Sequence, residues 1–255
     1  MKIATWNVNS MKVRLPHVLE WLGANSPDVL VLQEIKQVSE LFPAAELAAA
    51  GYQSVASGQK TYNGVAVISR AAAKDPVTDF PGFEDPQRRI LATTIAGVRV
   101  VNLYVPNGQA VGSEKYDYKL GWLAALKSFL ATELECHDKL VVLGDFNIAP
   151  ADEDVYDAEK WGDAILCSPA ERAALCELLE LGLTDVFRGF DQPEKSFSWW
   201  DYRAAGFRRN AGLRIDLILA SAAMSTACTA SYVDKEPRAW ERPSDHAPVV
   251  AEFDL

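Results

Sequence analysis

The stretch Val141–Pro150, VVLGDFNIAP, decides the fold. An apolar run ends at Gly144, continues into Asp145, Phe146 and Asn147, and stops at Pro150. Such a run, bounded by Gly and Pro, reads as a buried strand. Residues i and i+2 of an extended chain share a face, so Asp145 and Asn147 address one ligand from the strand's exit. A lone Asp-x-Asn there is ordinarily a turn that caps its own backbone. Here a water polarised beside a phosphate or metal is the better reading, because complementary groups recur at other strand ends.

The neighbouring segments repeat the alternation of strand and helix. Lys2–Val8, Pro27–Glu34, Tyr52–Ala56 and Gly64–Ser69 read as strands, the second apolar enough to be buried on both faces. Ile90–Ile95 and Val98–Val105 form a hairpin about Ala96-Gly97. Ile215–Ala220 and His246–Phe253 are the last clear strands, with a weaker one at Ala230–Val233. Helical spacing of apolar residues marks Arg14–Ala24, Leu41–Ala50, Lys115–Glu135 and Pro169–Leu181, the last capped by Ser168. Pro76–Pro86 reads as a surface loop, Ala151–Gly162 as a polar connection and Trp199–Arg214 as irregular. Many strands with interspersed helices and no low-complexity linker predict one α/β domain over residues 1–255, two packed sheets with helices outside.

Composition narrows the class. The chain has 255 residues, 49% of them apolar, so a sizeable core is expected and disorder is not. Its formal net charge of −10 argues weakly against nucleic acid as a partner, because phosphate contact depends on a local basic face and a bound cation. Cys136, Cys167, Cys176 and Cys228 form no C-x-x-C pair and have no zinc-like histidine spacing. They read as reduced thiols of a cytoplasmic protein. No apolar run approaches membrane-spanning length, and MKIATWNVNS enters a strand at once, without a signal region.

Polar residues recur at the strand ends: Asn7, Glu34, Asp145 and Asn147, Asp216, and Asp245 with His246. Singly, each has an ordinary explanation, such as a turn, a solvated terminus, an Asp216–Arg214 pair or a histidine satisfied in the core. Together they supply hard oxygen ligands, a water-orienting pair and an imidazole with carboxylate partners. Mg²⁺ takes one or two carboxylates and completes its shell with water and phosphate oxygens. The set suits metal-assisted phosphodiester hydrolysis.

The sequence resembles the exonuclease III family of abasic-site endonucleases, within the DNase I-like endonuclease/exonuclease/phosphatase superfamily. TWNVNS at 5–10, LQE at 32–34, NLYVPNG at 102–108, GDFNIAP at 144–150, SWWDYR at 198–203, GLRIDLIL at 212–219 and SDHAPV at 244–249 carry the resemblance across the whole chain. It implies a four-layer α/β sandwich of two mixed sheets packed face to face. It implies Glu34 as principal ligand for Mg²⁺, with Mn²⁺ able to substitute, and Asn7 and Asp245 beside it. Asp145 would orient or deprotonate the attacking water, held by Asn147, and His246 paired with Asp216 would contact the scissile phosphate. Tyr104 and Asn107 would contact phosphate oxygens. Whether Asp145 or His246 is the base, and whether one or two metals act, stays open at this level.

Substrate recognition has its own segment. Trp199, Trp200, Tyr202 and Phe207 interleave with Arg203, Arg208, Arg209 and Arg214 against one acid, Asp201, a local basic patch with stacking surfaces. By resemblance, Trp199, Leu213 and Ile215 line a small apolar pocket for an extrahelical sugar that lacks its base. Lys60–Asn63, Arg88-Arg89 and Lys115–Lys119 are further candidates for backbone contact. The expected activity is incision 5′ to abasic sites in duplex DNA, with removal of 3′ blocking groups or nucleotides, by a monomer in the cytoplasm. The competing readings are a phosphatase of lipids or small molecules and a non-catalytic binder of damaged DNA.

Overall fold

The computed structural model describes residues 1–255. One sheet runs in the spatial order β11 (Cys228–Val233), β12 (Val249–Phe253), β1 (Lys2–Asn7), β2 (Val29–Gln33), β4 (Val65–Ser69), β3 (Gln53–Ser57). The other runs β5 (Lys74–Val77), β6 (Ile90–Ile95), β7 (Val98–Tyr104), β8 (Leu140–Asp145), β10 (Asp216–Ala220), β9 (Thr184–Asp185). Each sheet has one parallel pair at its centre, β1–β2 and β7–β8, and antiparallel pairings elsewhere. The parallel pairs are bridged by α1 (Met11–Asn25) and α3 (Glu114–Cys136), because parallel neighbours need a long crossover. Four shorter helices complete the chain: α2 (Ala44–Ala49), α4 (Ala158–Trp161), α5 (Pro169–Leu179) and α6 (Ala222–Ala227).

Three apolar layers make this a four-layer sandwich. Trp21 and Leu22 of α1 and Leu47 of α2 pack on Ala4, Trp6, Leu30 and Leu32 of the first sheet. Trp122, Leu126 and Leu130 of α3, with Leu175 and Leu178 of α5, pack on Val101, Leu103, Val142 and Leu217 of the second. Between the sheets lie Ile3, Val29, Val31, Val100, Val141, Leu143 and Ile218. No helix is long and apolar enough to cross a membrane.

The period of two along each strand places the polar residues. Ile3, Val31, Val100, Leu143 and Ile218 all face the inter-sheet layer. Thr5 and Asn7, Gln33, Asn102 and Tyr104, Asp145 and Asp216 keep the same parity and continue that layer toward one end. Thr5, Gln33 and Asn102 join the sheets there, with Gln33 Nε2 donating to Thr5 Oγ1 at 2.9 Å and to Asn102 Oδ1 at 2.7 Å. Beyond this buried bridge the layer opens at the carboxyl ends of β1, β2, β7 and β8. A one-residue slip in any of these strands would turn its polar end residue into the helix layers.

Several sequence expectations need correction. The first residues of the expected 76–86 loop belong to edge strand β5, whose irregular pairing with β6 accommodates Pro76. The last strand begins at Val249, not His246, because Pro248 has no N–H to donate to a ladder. Ala151–Gly162 contains a short 3₁₀ turn and α4, and Leu41–Ala50 narrows to α2. Arg214 does not pair with Asp216. Instead its Nε meets Asp154 Oδ1 at 2.6 Å and its Nη1 meets Asp185 Oδ2 at 2.8 Å.

Candidate active site

Gly144, next to last in β8, has φ 149°, and a Cβ there would lie 2.0 Å from the Leu103 carbonyl oxygen. Only glycine lets β7 and β8 stay this close while the chain turns to present Asp145. The turn is closed by the Asn147 amide, which donates to Asp145 Oδ1 at 2.9 Å, with Asn147 at φ 50°. The sequence motif is therefore both a self-capping turn and a presentation device. The Asn147 side chain donates to the Val105 carbonyl at 3.0 Å and accepts from Asn107 Nδ2 at 3.1 Å.

Across the sheets, Asn7 Nδ2 donates to Asp145 Oδ2 at 2.9 Å and to Glu34 Oε1 at 3.0 Å. Its own oxygen accepts from the Asn9 amide at 3.0 Å. Tyr104 OH donates to Glu34 Oε1 at 3.0 Å. Glu34 follows β2 at φ 52°, a left-handed conformation that is rare for a glutamate and marks a constrained position. His246 Nδ1 lies 2.9 Å from Asp216 Oδ2, and its Nε2 lies 3.8 Å from Asp145 Oδ2. Ser198 Oγ donates to Asp216 at 2.6 Å, and Ser244 Oγ donates to the Asn7 carbonyl at 2.6 Å. Asp245 accepts from Asn9 Nδ2 at 3.0 Å and from Trp199 Nε1 at 3.1 Å. Thus Asn7, Glu34, Tyr104, Asn107, Asp145, Asn147, Asp216, Asp245 and His246, far apart in sequence, are linked by short contacts at one end of the sandwich.

The electrostatics separate the two titrating partners. Burial pushes the Asp145 carboxyl up to about 7, aided by the nearby Asp216 and Glu34 charges, while His246 and Asn7 oppose the rise. Burial pulls on His246 in the other direction, but the Asp216 and Asp145 carboxylates override it and hold the imidazole up at about 10. Asp245 is held below the usual carboxylate range, because His246, Trp199 and Asn9 outweigh its burial. Glu34 is also lowered against its burial, chiefly by Lys36, whose ammonium lies 2.7 Å from Oε2. The chain has three histidines, His17, His137 and His246, so their ring signals can be resolved individually. An NMR titration is expected to find His246 doubly protonated through neutral pH, and Asp216→Asn to move its midpoint to lower pH. An unmoved midpoint would contradict the charge assignment.

Two carboxylate groups present themselves for a cation. The side-chain ligand atoms of Asp145, Asp216 and His246 lie within 4.8 Å of one another. Glu34 could also hold a cation, since the Lys36 ammonium already lies 2.7 Å from its Oε2. Lys36 Nζ also donates to Asn9 Oδ1 at 2.5 Å, and Asn9 links on to Asp245. The oxygen donors around Lys36 suit a hard divalent cation.

The aromatic and basic segment divides in two. Trp200, Phe207 and Arg214 turn inward, unlike the expected surface patch. Trp200 is buried against Phe197 and Ala247, Phe207 packs edge-on to it at 5.1 Å, and Arg238 lies 4.8 Å over Phe207. Trp199 is half-buried and Tyr202 exposed, and Arg203, Arg208 and Arg209 are exposed. Arg203 grips Asp201 at 2.6 Å. Leu213 and Ile215 are buried with Leu166, Val155 and Cys167, and Trp199 leans on this group. Arg89 is buried over the Tyr104 ring at 4.7 Å, and Lys119 is wholly buried, so neither is the surface cation expected for backbone contact. Lys36, Asn9, Ser198 and Ser244 were not singled out from the sequence. The polar residues Gln33 and Asn102, set at inter-sheet parity within apolar strands, were the legible signal for the bridge beneath the site.

A family model described as endonuclease/exonuclease/phosphatase matches residues 4–246. The chain is 38% identical to exodeoxyribonuclease III of Haemophilus influenzae over 99% of this chain and 100% of that protein. Among solved structures it superposes on the 3′ phosphatase NExo from Neisseria, an Asp-to-Asn variant bound to a product DNA hairpin. That pair has a TM-score of 0.98 and 54% identity, covering 100% of both chains. It likewise superposes on an AP endonuclease from Archaeoglobus fulgidus, with a TM-score of 0.96, 40% identity and 100% coverage of both chains.

Proposed function

The chain belongs to the endonuclease/exonuclease/phosphatase family, as a metal-dependent nuclease of the exodeoxyribonuclease III and AP endonuclease type, and from that premise we propose that it cuts duplex DNA 5′ to abasic sites and clears blocked 3′ ends. The observation that carries the reading is Asp145, held between Asn7 and Asn147 and beside a cationic His246, across from Glu34. The enzyme acts as a monomer in the cytoplasm, and its four unpaired cysteines suit that compartment.

Glu34 would hold Mg²⁺, with Asp245 and Asn7 beside it, and the bound ion would neutralise charge on the phosphoryl and leaving oxygens. The chain's own residues supply the rest. Paired groups whose affinities for protons are pushed apart divide acid and base roles. The base is assigned to Asp145, because the Asp216 and Asp145 carboxylates favour the protonated form of the His246 imidazole. Asn147, fixed through Val105 and Asn107, keeps the Asp145 carboxylate aimed at the attacking water. His246, oriented by Asp216, donates from Nε2 to a phosphoryl oxygen, and Tyr104 and Asn107 donate to others. Trp199, Arg203 and Arg208 contact the duplex.

A second reading, in which 3′-end cleaning dominates over abasic incision, is favoured by Leu166. The apolar residues expected to line a sugar pocket, Leu213 and Ile215, are buried with Leu166. Leu166 takes φ 74°, and its backbone is tied to Ala149 at 2.8 Å and to Glu171 at 3.1 Å. With Leu213 fully buried and Ile215 only 2% exposed, this group would have to open before an extrahelical sugar could touch it. The test compares wild type with Leu166→Gly on two duplexes, one with a central abasic-site analogue and one with a nick bearing a 3′ phosphate. Glycine suits the backbone and removes one side chain from this buried group, so the ratio of abasic incision to phosphate removal should rise by about tenfold. An unchanged ratio would remove the second reading. Failure of wild type on both duplexes would remove the first.

A further inference from the structure

Lys119 of α3 and Glu171 of α5 are both wholly buried and form an ion pair behind the site. Such a pair is a poor source of stability, because two desolvated charges do little better than apolar residues of the same volume. Its contacts point elsewhere. Lys119 Nζ donates to the Asn147 carbonyl at 2.7 Å and to the Asn107 carbonyl at 3.2 Å. These are the backbones of the two amides that meet each other at the mouth of the site. The lysine stem also fills the space above Gly108, where a Cβ would lie 3.1 Å from Lys119 Cδ and 2.9 Å from Ile165 Cδ1.

The carboxylate end is equally engaged. Glu171 Oε1 accepts from the Leu166 amide at 3.1 Å, and Oε2 accepts from the Ser168 amide at 3.1 Å and hydroxyl at 2.6 Å. Tyr116, one helical turn before Lys119, meets the same Ser168 hydroxyl at 2.6 Å. One ion pair therefore fastens the turn at 145–147, the turn at 105–108 and the segment at 165–168.

We propose that Lys119, neutralised by Glu171, is a positioning residue that fixes the Asn107 and Asn147 amides for catalysis and couples them to the segment that carries Leu166. For its substrates this rests on the nuclease reading above. The test is the double variant Lys119→Met with Glu171→Gln, which removes both charges and keeps both shapes. It is expected to fold but to melt below wild type, because no buried charge is left unpaired, yet the Asn107 and Asn147 carbonyls lose their donor and the new amide nitrogen faces a backbone N–H. Its kcat should fall by about tenfold to a hundredfold on the abasic and 3′-phosphate duplexes and on bis(4-nitrophenyl) phosphate, as loss of outer positioning partners does elsewhere, with KM for duplex little changed. Wild-type kcat in the folded double variant would overturn the proposal, as would a loss confined to KM. Should that variant fail to fold, Lys119→Arg decides. It keeps the charge opposite Glu171, but a planar guanidinium cannot reproduce both carbonyl contacts, so kcat must still fall. Wild-type kcat there overturns the proposal too. A wild type inactive on both duplexes but active on the nitrophenyl ester would remove the nuclease reading and leave the role of Lys119 measurable.

Discussion

Asp145→Asn is expected to lower the single-turnover rate of DNA cleavage by about a thousandfold while leaving duplex affinity within a few-fold of wild type. The substitution keeps an oxygen for the Asn147 amide, so the turn survives. It removes the proton acceptor and sets an amide nitrogen against Asn7 Nδ2, which now donates to Asp145 Oδ2. The effect is therefore on the chemical step. The pH profile carries the same signature. Burial holds the Asp145 carboxyl up at about 7, so the wild-type rate should rise as pH climbs through the range where this group ionises, and a cation at Glu34 would move that limb to lower pH. The rate should fall again as pH passes about 10 and His246 loses its proton. In Asp145→Asn the acid limb should disappear. A variant with wild-type turnover, or one that keeps the acid limb, would assign the base elsewhere.

Glu34→Ala is expected to raise the Mg²⁺ concentration for half-maximal cleavage by about a hundredfold or more, since even outer partners of a metal ligand cost tenfold to a hundredfold. Three donors converge on this carboxylate: Asn7, Tyr104 and Lys36. Removing it leaves the Lys36 ammonium without its acid and the Tyr104 hydroxyl without its acceptor. Partial recovery at high Mg²⁺ would distinguish lost metal affinity from a damaged fold. The same variant studied by direct Mn²⁺ titration should show the weakened site without any substrate present. An unchanged metal titration would contradict the assignment of Glu34.

The sheets were legible because their central strands are short, nearly continuous apolar runs, such as Val29–Gln33 and Leu140–Asp145, bounded by polar or turn residues. The residues drawn from strand ends, Asn7, Glu34, Asp145, Asp216 and His246, meet at one end because inter-sheet parity carries the strand residues there. What the sequence hid is of another kind. Lys119 sits within a helical pattern and reads as a surface cation, but its burial depends on Glu171, which is distant in sequence. Trp200 and Arg214 read as part of a DNA face, yet local composition does not say which side of an irregular segment faces in. Leu166 is an ordinary apolar residue until the fold sets it on Leu213 and Ile215. Edge strand β5 was missed because Lys74–Val77 contains Asp75 and Pro76, poor strand formers that only an edge tolerates.

The most direct test of the central claim is cleavage of an end-labelled duplex that holds one abasic-site analogue, with a second duplex ending at a 3′ phosphate, each incubated with Mg²⁺ and with EDTA. The site built on Asp145, His246 and Glu34 predicts Mg²⁺-dependent cleavage that leaves a 3′ hydroxyl on at least one duplex, and no cleavage in EDTA. Equal cleavage in EDTA, or no cleavage of either duplex at saturating Mg²⁺, would contradict it.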